Sequence, residues 1–321
     1  MKILVTGGAG FIGSNFVHYM LECHPQYQIT NLDKLTYCGN LDNLTDVEGD
    51  PNHSFVQGDI GDYALVRGLV QEIDVVVHFA AESHVDRSIS DPAEFIRTNV
   101  LGLNTLLSCC LEAGIERFIN VSTDEVYGSI QQGYFSEEDK LNPSSPYSAS
   151  KAAGDMLCNS YLVTYKLPVI TTRSTNNFGP YQYPEKLIPL FITNLLEDIS
   201  LPLYGDGKNV RDWIYVIDNC QAIDLVLHKG KEGEIYNIGA ANERMNIEVA
   251  ELILSILKKP QKLIEYVTDR LGHDRRYAVN TIKIKELGFS PKCSFEQALE
   301  RTVKWYEENK RWWEKLKKVS S

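Results

Sequence analysis

The chain has 321 residues, 43% hydrophobic and 23% charged; that length gives one large α/β unit or two domains ample chain for a full core. The composition excludes collagen, coiled coil and wholesale disorder. With 32 Lys and Arg against 43 Asp and Glu the net charge is −11, which argues against a broad surface for nucleic acid or anionic membrane and requires any site for an acidic ligand to gather its cations in one cleft.

Lys2–Thr6 (KILVT) reads as a strand, and Phe11–Cys23 as a helix after a glycine turn. Tyr27–Leu32, Ser54–Gln57, Val75–Phe79 and Phe118–Ser122 are further strands, short and nearly all apolar. Such strands alternating with helical patterns indicate a parallel sheet buried on both faces. Asp91–Ala113 and Pro146–Tyr165 are the long helices between them, and Leu167–Arg173 is another strand. After about Asn176 the texture changes, with Pro180, Pro184, Pro189 and Pro202 in a short span. This marks a looser second lobe, from which the chain is expected to return to the sheet near Trp213–Ile217 and Ile235–Ile238. Asn246–Leu257 and Phe295–Trp313 read as helices of the C-terminal lobe. The tryptophans of Lys310–Lys315 fit a packed amphipathic helix better than a membrane anchor.

Seven scattered cysteines, with no CxxC pair, fit a reducing cytosol. No metal ligands cluster along the chain. The first apolar run is too short for a signal peptide, and no uncharged run reaches the roughly 18–20 residues of a membrane helix. The expectation is a cytoplasmic protein with no metal, no nucleic-acid partner and no membrane partner.

Gly7, Gly8, Gly10 and Gly13 satisfy a glycine-rich fingerprint between a strand and a helix. Glycine is needed where backbone turns tightly against a pyrophosphate, which the unpaired N–H groups of the next helix then bind. Asp33 stands twenty positions beyond Gly13, where a carboxylate accepts both adenosine ribose hydroxyls and repels a 2′-phosphate, favouring NAD over NADP. Lys34 works against that preference, because a cation could tolerate the phosphate. Asp59 and Ile60, after the third strand, are placed to flank the adenine, although Asp59 could equally cap a helix. Tyr147 and Lys151 lie four apart and so share a helix face. A tyrosine near its usual pKa of about 10 is a poor base; a neighbouring ammonium and a positive nicotinamide both favour phenolate.

With these motifs the chain resembles the extended short-chain dehydrogenase/reductase superfamily over nearly its whole length. The resemblance implies a Rossmann-type doubly wound parallel sheet binding NAD, with a smaller C-terminal α/β lobe for a nucleotide-linked sugar. Residues 1–175 would form the NAD domain, rejoined by about 212–240, and residues 176–211 and 241–321 the sugar-nucleotide lobe. Thr123-Asp124-Glu125 after the fifth strand resembles the dTDP-glucose 4,6-dehydratase pattern, where epimerases carry small or uncharged residues in place of the two acids. Loss of water across sugar carbons 5 and 6 needs one group to take the carbon 5 proton and another to protonate the departing hydroxyl. Adjacent carboxyls oppose each other's second charge, so one can remain the acid.

By the same resemblance Gly7, Gly10, Phe11, Ile12, Gly13, Asp33, Lys34, Leu35, Thr36, Asp59, Ile60, Ala80, Ala81, Ser83, Thr98, Tyr147, Lys151 and Asn177 would contact NAD. The sugar nucleotide would meet His84, Thr123, Asn176, Lys186, Leu187, Pro202, Leu203, Tyr204, Arg211, Asn246, Asp269, Arg270, His273 and Tyr277. Lys186, Arg211, Arg270, Arg275 and Arg276 would supply the cations for a diphosphate, with plain surface solvation the stronger reading for Arg276. Phe178 stands where the family usually has Tyr, Leu271 where it usually has Pro, and Leu103 where Thr is common.

The function expected from resemblance is oxidation of dTDP-glucose at carbon 4, loss of water across carbons 5 and 6, and return of the hydride to carbon 6. Tyr147 would be the base for the 4-hydroxyl with Thr123 beside it, Glu125 the base at carbon 5 and Asp124 the acid. A dehydratase or epimerase of another nucleotide sugar is the nearest alternative, and a non-catalytic dinucleotide sensor one from a different class. The helices Asp91–Ala113 and Pro146–Tyr165 match the family's dimer-forming pair, implying a homodimer.

Overall fold

The computed structural model describes residues 1–320. Apolar strands β1 (Lys2–Thr6), β2 (Gln28–Asp33), β3 (His53–Gln57), β4 (Val75–His78), β5 (Arg117–Thr123) and β6 (Val169–Ser174) alternate with helices. The chain then makes the short strands β7 (Asn176–Phe178), β8 (Leu201–Tyr204) and β9 (Val210–Tyr215) before β10 (Ile235–Ile238), β11 (Glu243–Met245) and β12 (Ile264–Val267). The main sheet is parallel throughout, in the order β10-β6-β5-β4-β1-β2-β3. Strand order reverses between β1 and β4, so their C-terminal ends open a crevice where such folds bind ligands.

The central strands β1, β4, β5 and β6 are buried on both faces, as in parallel sheets covered by helices, while β3 at the edge is only partly buried. Ile3, Val5 and Val77 face Phe16 and Met20 of helix Phe11–Cys23 and Ile223 and Val226 of helix Val216–Lys229. Leu4, Val76 and Phe118 face Leu106 and Leu107 of helix Leu103–Ala113 and Cys158 of helix Pro146–Tyr165. A second core joins Phe178, Phe191, Trp213, Phe295 and Trp313. Phe178, in the usual Tyr position, is buried there against Trp213 and Phe295, and Leu103 packs against Gly154. Leu271 is 79% exposed.

Three elements differ from the expectation. The rod Asp91–Ala113 is not one α-helix: between helices Pro92–Ile96 and Leu103–Ala113, residues Arg97–Gly102 wind as a π turn. Trp213 does not rejoin the main sheet; β9 pairs with β7 and β11, and only β10 returns, beside β6. The run Phe295–Trp313 breaks at Asn309 into helices Phe295–Glu308 and Lys310–Ser320. The break turns both tryptophans inward. Trp313 donates its indole N–H to the Tyr306 carbonyl, and Trp312 donates to Asn43 Oδ1 at 2.8 Å. Asn43 in turn donates Nδ2 to the Ala9 carbonyl at 2.8 Å, so the C-terminal helix braces the glycine turn. Among the described residues no helix is long and apolar enough to cross a membrane.

Candidate active site

Two adjoining clefts open above the C-terminal ends of β1, β4 and β5. In the first, the glycine turn leaves no room for a Cβ at Gly7 or Gly13. Gly7 has φ +74°, and a Cβ there would stand 2.6 Å from the Ala80 nitrogen; one on Gly13 would stand 2.3 Å from the Gly7 oxygen. Gly10 caps helix Phe11–Cys23 without a side-chain hydrogen bond, and no acid sits in the first turn, so the helix presents its N–H groups to an anion. Asp33 ends β2, accepting from the Ala9 N–H at 2.9 Å and the Leu35 N–H at 2.8 Å. Burial pushes its pKa up, against those two bonds, and each oxygen keeps a lone pair for a ribose hydroxyl. Lys34 is occupied, lying 2.9 Å from Asp59 and 4.0 Å from Glu94. A cradle too tight for a Cβ at Gly7 or Gly13 and an acceptor at the end of β2 fit NAD.

Thr36, Ile60, Ala80, Ala81, Ser83, Thr98, Tyr147 and Lys151 line this cleft with the glycine turn, Phe11, Ile12, Asp33, Lys34 and Asp59. Leu35 and Asn177 do not. Leu35, at φ +57°, contributes its backbone N–H to Asp33, whereas Asn177 faces the neighbouring cleft.

Helix Pro146–Tyr165 starts with a Ser145/Ser148 capping box and Pro146 in its first turn, which fixes Tyr147 and Lys151. Burial, then the Glu125 charge, push the Tyr147 hydroxyl up, and a hydrogen bond with Thr123 pulls it down. Lys151 donates to the Val121 carbonyl at 2.8 Å, and burial lowers its pKa against the pull of Asp155. The helix is locked from below. Asn120 and Arg173 hold Asp155 at 3.0 and 2.9 Å, and Asn99, in the π turn, donates to Ser150 at 2.8 Å.

The two adjacent acids sit in unlike surroundings. Asp124 is 3% exposed, and its Oδ2 has no hydrogen-bond partner among the described residues. Burial first, and the Glu125 charge next, push its carboxyl well above the ordinary range. Glu125 faces the second cleft; burial raises its pKa, but Arg270, Arg211 and Lys186 all act to keep it ionised. Burial thus dominates at Asp124, favouring its neutral form, while three cations act on Glu125 in favour of its charged form.

The second cleft is lined by His84, Asn176, Lys186, Leu187, Pro202, Leu203, Tyr204, Arg211, Asn246, Arg270, His273 and Tyr277. Thr123, Asp124 and Asp269 are not among the residues lining either cleft; Asp269 lies 2.6 Å from His273 Nδ1. His84 Nδ1 accepts the Arg87 N–H at 3.2 Å; burial, then Lys186 and Arg87, push its pKa down to about 3, so it is neutral. Of the five expected cations, Lys186, Arg211 and Arg270 line the cleft. Arg275 instead pairs with Asp206 at 2.8 Å, and Arg276 with Glu243 at 2.6 Å.

Glu185 was not singled out by the sequence reading. It accepts from the Tyr37 hydroxyl at 2.9 Å and faces His84 Nε2 at 3.5 Å and Lys186 at 3.8 Å, joining the walls of both clefts. Its place between Pro184 and Lys186 was the one available signal.

A dinucleotide cradle on a doubly wound sheet, opening beside a Tyr–Lys pair and a second cationic cleft, defines an NAD-binding enzyme of the short-chain dehydrogenase/reductase class. The family model of GDP-mannose 4,6 dehydratase matches residues 4–302, and the chain belongs to that family. It is 54% identical over 306 residues to the low-salt glycan biosynthesis protein Agl12 of Haloferax volcanii, covering 95% of this chain and 98% of that protein. It is 51% identical to the dTDP-glucose 4,6-dehydratase of Streptomyces antibioticus, covering 99% and 96%. The solved dTDP-glucose 4,6-dehydratase of Streptomyces venezuelae, with NAD bound, superposes at a TM-score of 0.97 with 51% identity, covering 98% of this chain and 100% of that one.

Proposed function

We propose that this chain is an NAD-dependent dTDP-glucose 4,6-dehydratase producing dTDP-4-keto-6-deoxyglucose. The observation that carries the reading is the Asp124/Glu125 pair: adjacent acids, one pushed toward its neutral form by burial and one under the influence of three cations. Thymidine preference rests on relatives named for that substrate. Bound in the first cleft, NAD would accept hydrogen from sugar carbon 4 and return it to carbon 6, its ring charge meanwhile favouring the phenolate.

Tyr147 takes the proton of the sugar 4-hydroxyl, with Thr123 hydrogen-bonded to its oxygen. Lys151 holds the nicotinamide ribose. A 4-ketone acidifies the carbon 5 proton, which Glu125 removes while Asp124 protonates the leaving 6-hydroxyl. Lys186, Arg211 and Arg270 take the diphosphate. NAD is assigned chiefly to residues 1–175, rejoined at about 212–240, and the nucleotide to 176–211 and 241–321, with His84 and Glu125 reaching into the second cleft and Lys186 into the first. The reading includes a cytoplasmic location and a homodimer. Support for the dimer is apolar surface on the expected pair of helices, where Leu101, Met156, Val163 and Tyr165 are each at least 55% exposed.

Purified protein given dTDP-glucose deuterated at carbon 4 should yield product deuterated at carbon 6, with one solvent deuterium entering carbon 5 in heavy water. Label remaining at carbon 4 of an intact 6-hydroxy sugar would reject the dehydratase and indicate an epimerase.

A further inference from the structure

His24 follows helix Phe11–Cys23 as its C-cap. Asp224 and His228, four apart, share one face of helix Val216–Lys229, which packs against it. The fold thus joins residues 200 positions apart. His24 Nε2 is 3.0 Å from Asp224 Oδ1, and His228 Nδ1 is 2.9 Å from the same oxygen. One ligand atom from each residue lies within 4.8 Å of the other two. Two imidazoles and a carboxylate are a donor set that borderline divalent ions use. Bonds of about 2.0–2.2 Å to Zn²⁺ place tetrahedral donors roughly 3.3–3.6 Å apart, so the two contacts of 3.0 and 2.9 Å need to open by roughly 0.3–0.7 Å.

The surroundings suit an ion as well. His228 Nε2 lies 2.9 Å from the Tyr27 hydroxyl, the kind of outer contact that orients a ligating imidazole. Its Nδ1 also faces the Asp224 carbonyl at 2.9 Å; metal binding would replace that N–H and move the ring proton to Nε2, toward Tyr27. The His24 ring stacks on Tyr27 and on His228, with centroids 4.7 and 5.0 Å away. The side chains of His24, Asp224 and His228 are 22%, 15% and 34% exposed, which leaves a path for an ion and a coordinating water.

We propose that His24, Asp224 and His228 form a site for one divalent transition-metal ion, Zn²⁺ by its donor set, which pins the end of helix Phe11–Cys23 to helix Val216–Lys229. The phosphate-binding turn is at the other end of that 13-residue helix, about 20 Å away at 1.5 Å per residue. The ion is therefore structural and takes no part in the reaction.

The test uses the full chain without a polyhistidine tag, stripped with chelator and titrated with Zn²⁺ by calorimetry. The parent is expected to bind one ion per chain, with a melting temperature that rises with Zn²⁺ concentration. His24→Gln and His228→Gln should each weaken binding roughly tenfold or more with circular dichroism unchanged, while Cys23→Ser binds as the parent does. Co²⁺ in the parent should show the visible bands of a tetrahedral centre without thiolate charge transfer. Lack of saturable one-to-one binding, or parental affinity in both His variants, overturns the proposal, as does loss of binding in Cys23→Ser alone.

Discussion

Lys34 Nζ lies 2.9 Å from an Asp59 carboxylate oxygen, so the cation next in sequence to Asp33, the proposed ribose ligand, is already partnered. The pair is about half exposed, and such pairs are worth about 0.2–1 kcal/mol. Asp59→Asn should accordingly improve NADP binding by no more than about fivefold. Asp33→Ser, which removes the charge that repels a 2′-phosphate, should have the larger effect. Dissociation constants for both dinucleotides check this; a larger gain from Asp59→Asn would make Lys34 the principal discriminator.

Tyr147→Phe keeps the ring and loses the proton acceptor. NAD should still bind, while turnover falls by about 10²- to 10⁴-fold, the range for a positioned base. Near-normal turnover would remove Tyr147 from the role.

Glu125→Gln should separate the two stages, because its carboxylate acts only after oxidation. A single turnover should then reduce bound NAD faster than keto product forms. Unchanged elimination would assign the carbon 5 proton to another base.

Arg270 is the leading influence that lowers the Glu125 pKa, against the larger effect of burial. Arg270→Gln removes a positive charge, so the Glu125 pKa rises and a higher pH is needed to ionise it. The acidic limb of the kcat profile should move to higher pH, measured at saturating substrate because Arg270 also lines the cleft. A limb that stays in place would show that Glu125 ionisation does not set it.

Gly13→Ala places a methyl 2.3 Å from the Gly7 carbonyl oxygen. Overpacking of this kind costs about 1–3 kcal/mol, so the melting temperature should fall together with NAD affinity. An unchanged thermal midpoint would mean that the turn relaxes freely.

The parts of the site legible in the sequence were those made by neighbours in the chain: the glycine turn, Asp33 at a strand end, Tyr147 and Lys151 on one helix face. Pairings across the fold were not. Arg275 was expected among the diphosphate ligands because nothing local reveals Asp206 as its partner, and Arg276, read more as a solvated surface cation, is paired with Glu243. The absence of clustered ligands along the chain likewise gave no hint of His24 beside Asp224 and His228. Trp213 was expected in the main sheet because an apolar strand carries no mark of which sheet it joins; its partner is Asn176, on the short strand that follows β6. Apolar periodicity ran through Asn309, so one helix was expected where the indoles of Trp312 and Trp313 need a bend to reach Asn43 and Tyr306.

The bond from Trp312 to Asn43 spans 269 positions, and Asn43 holds the Ala9 carbonyl. During synthesis the glycine turn can form as soon as β1, β2 and the first helix have emerged. Its brace cannot, because residue 312 has yet to be made. The contact that steadies the cofactor turn is therefore among the last that the growing chain can make.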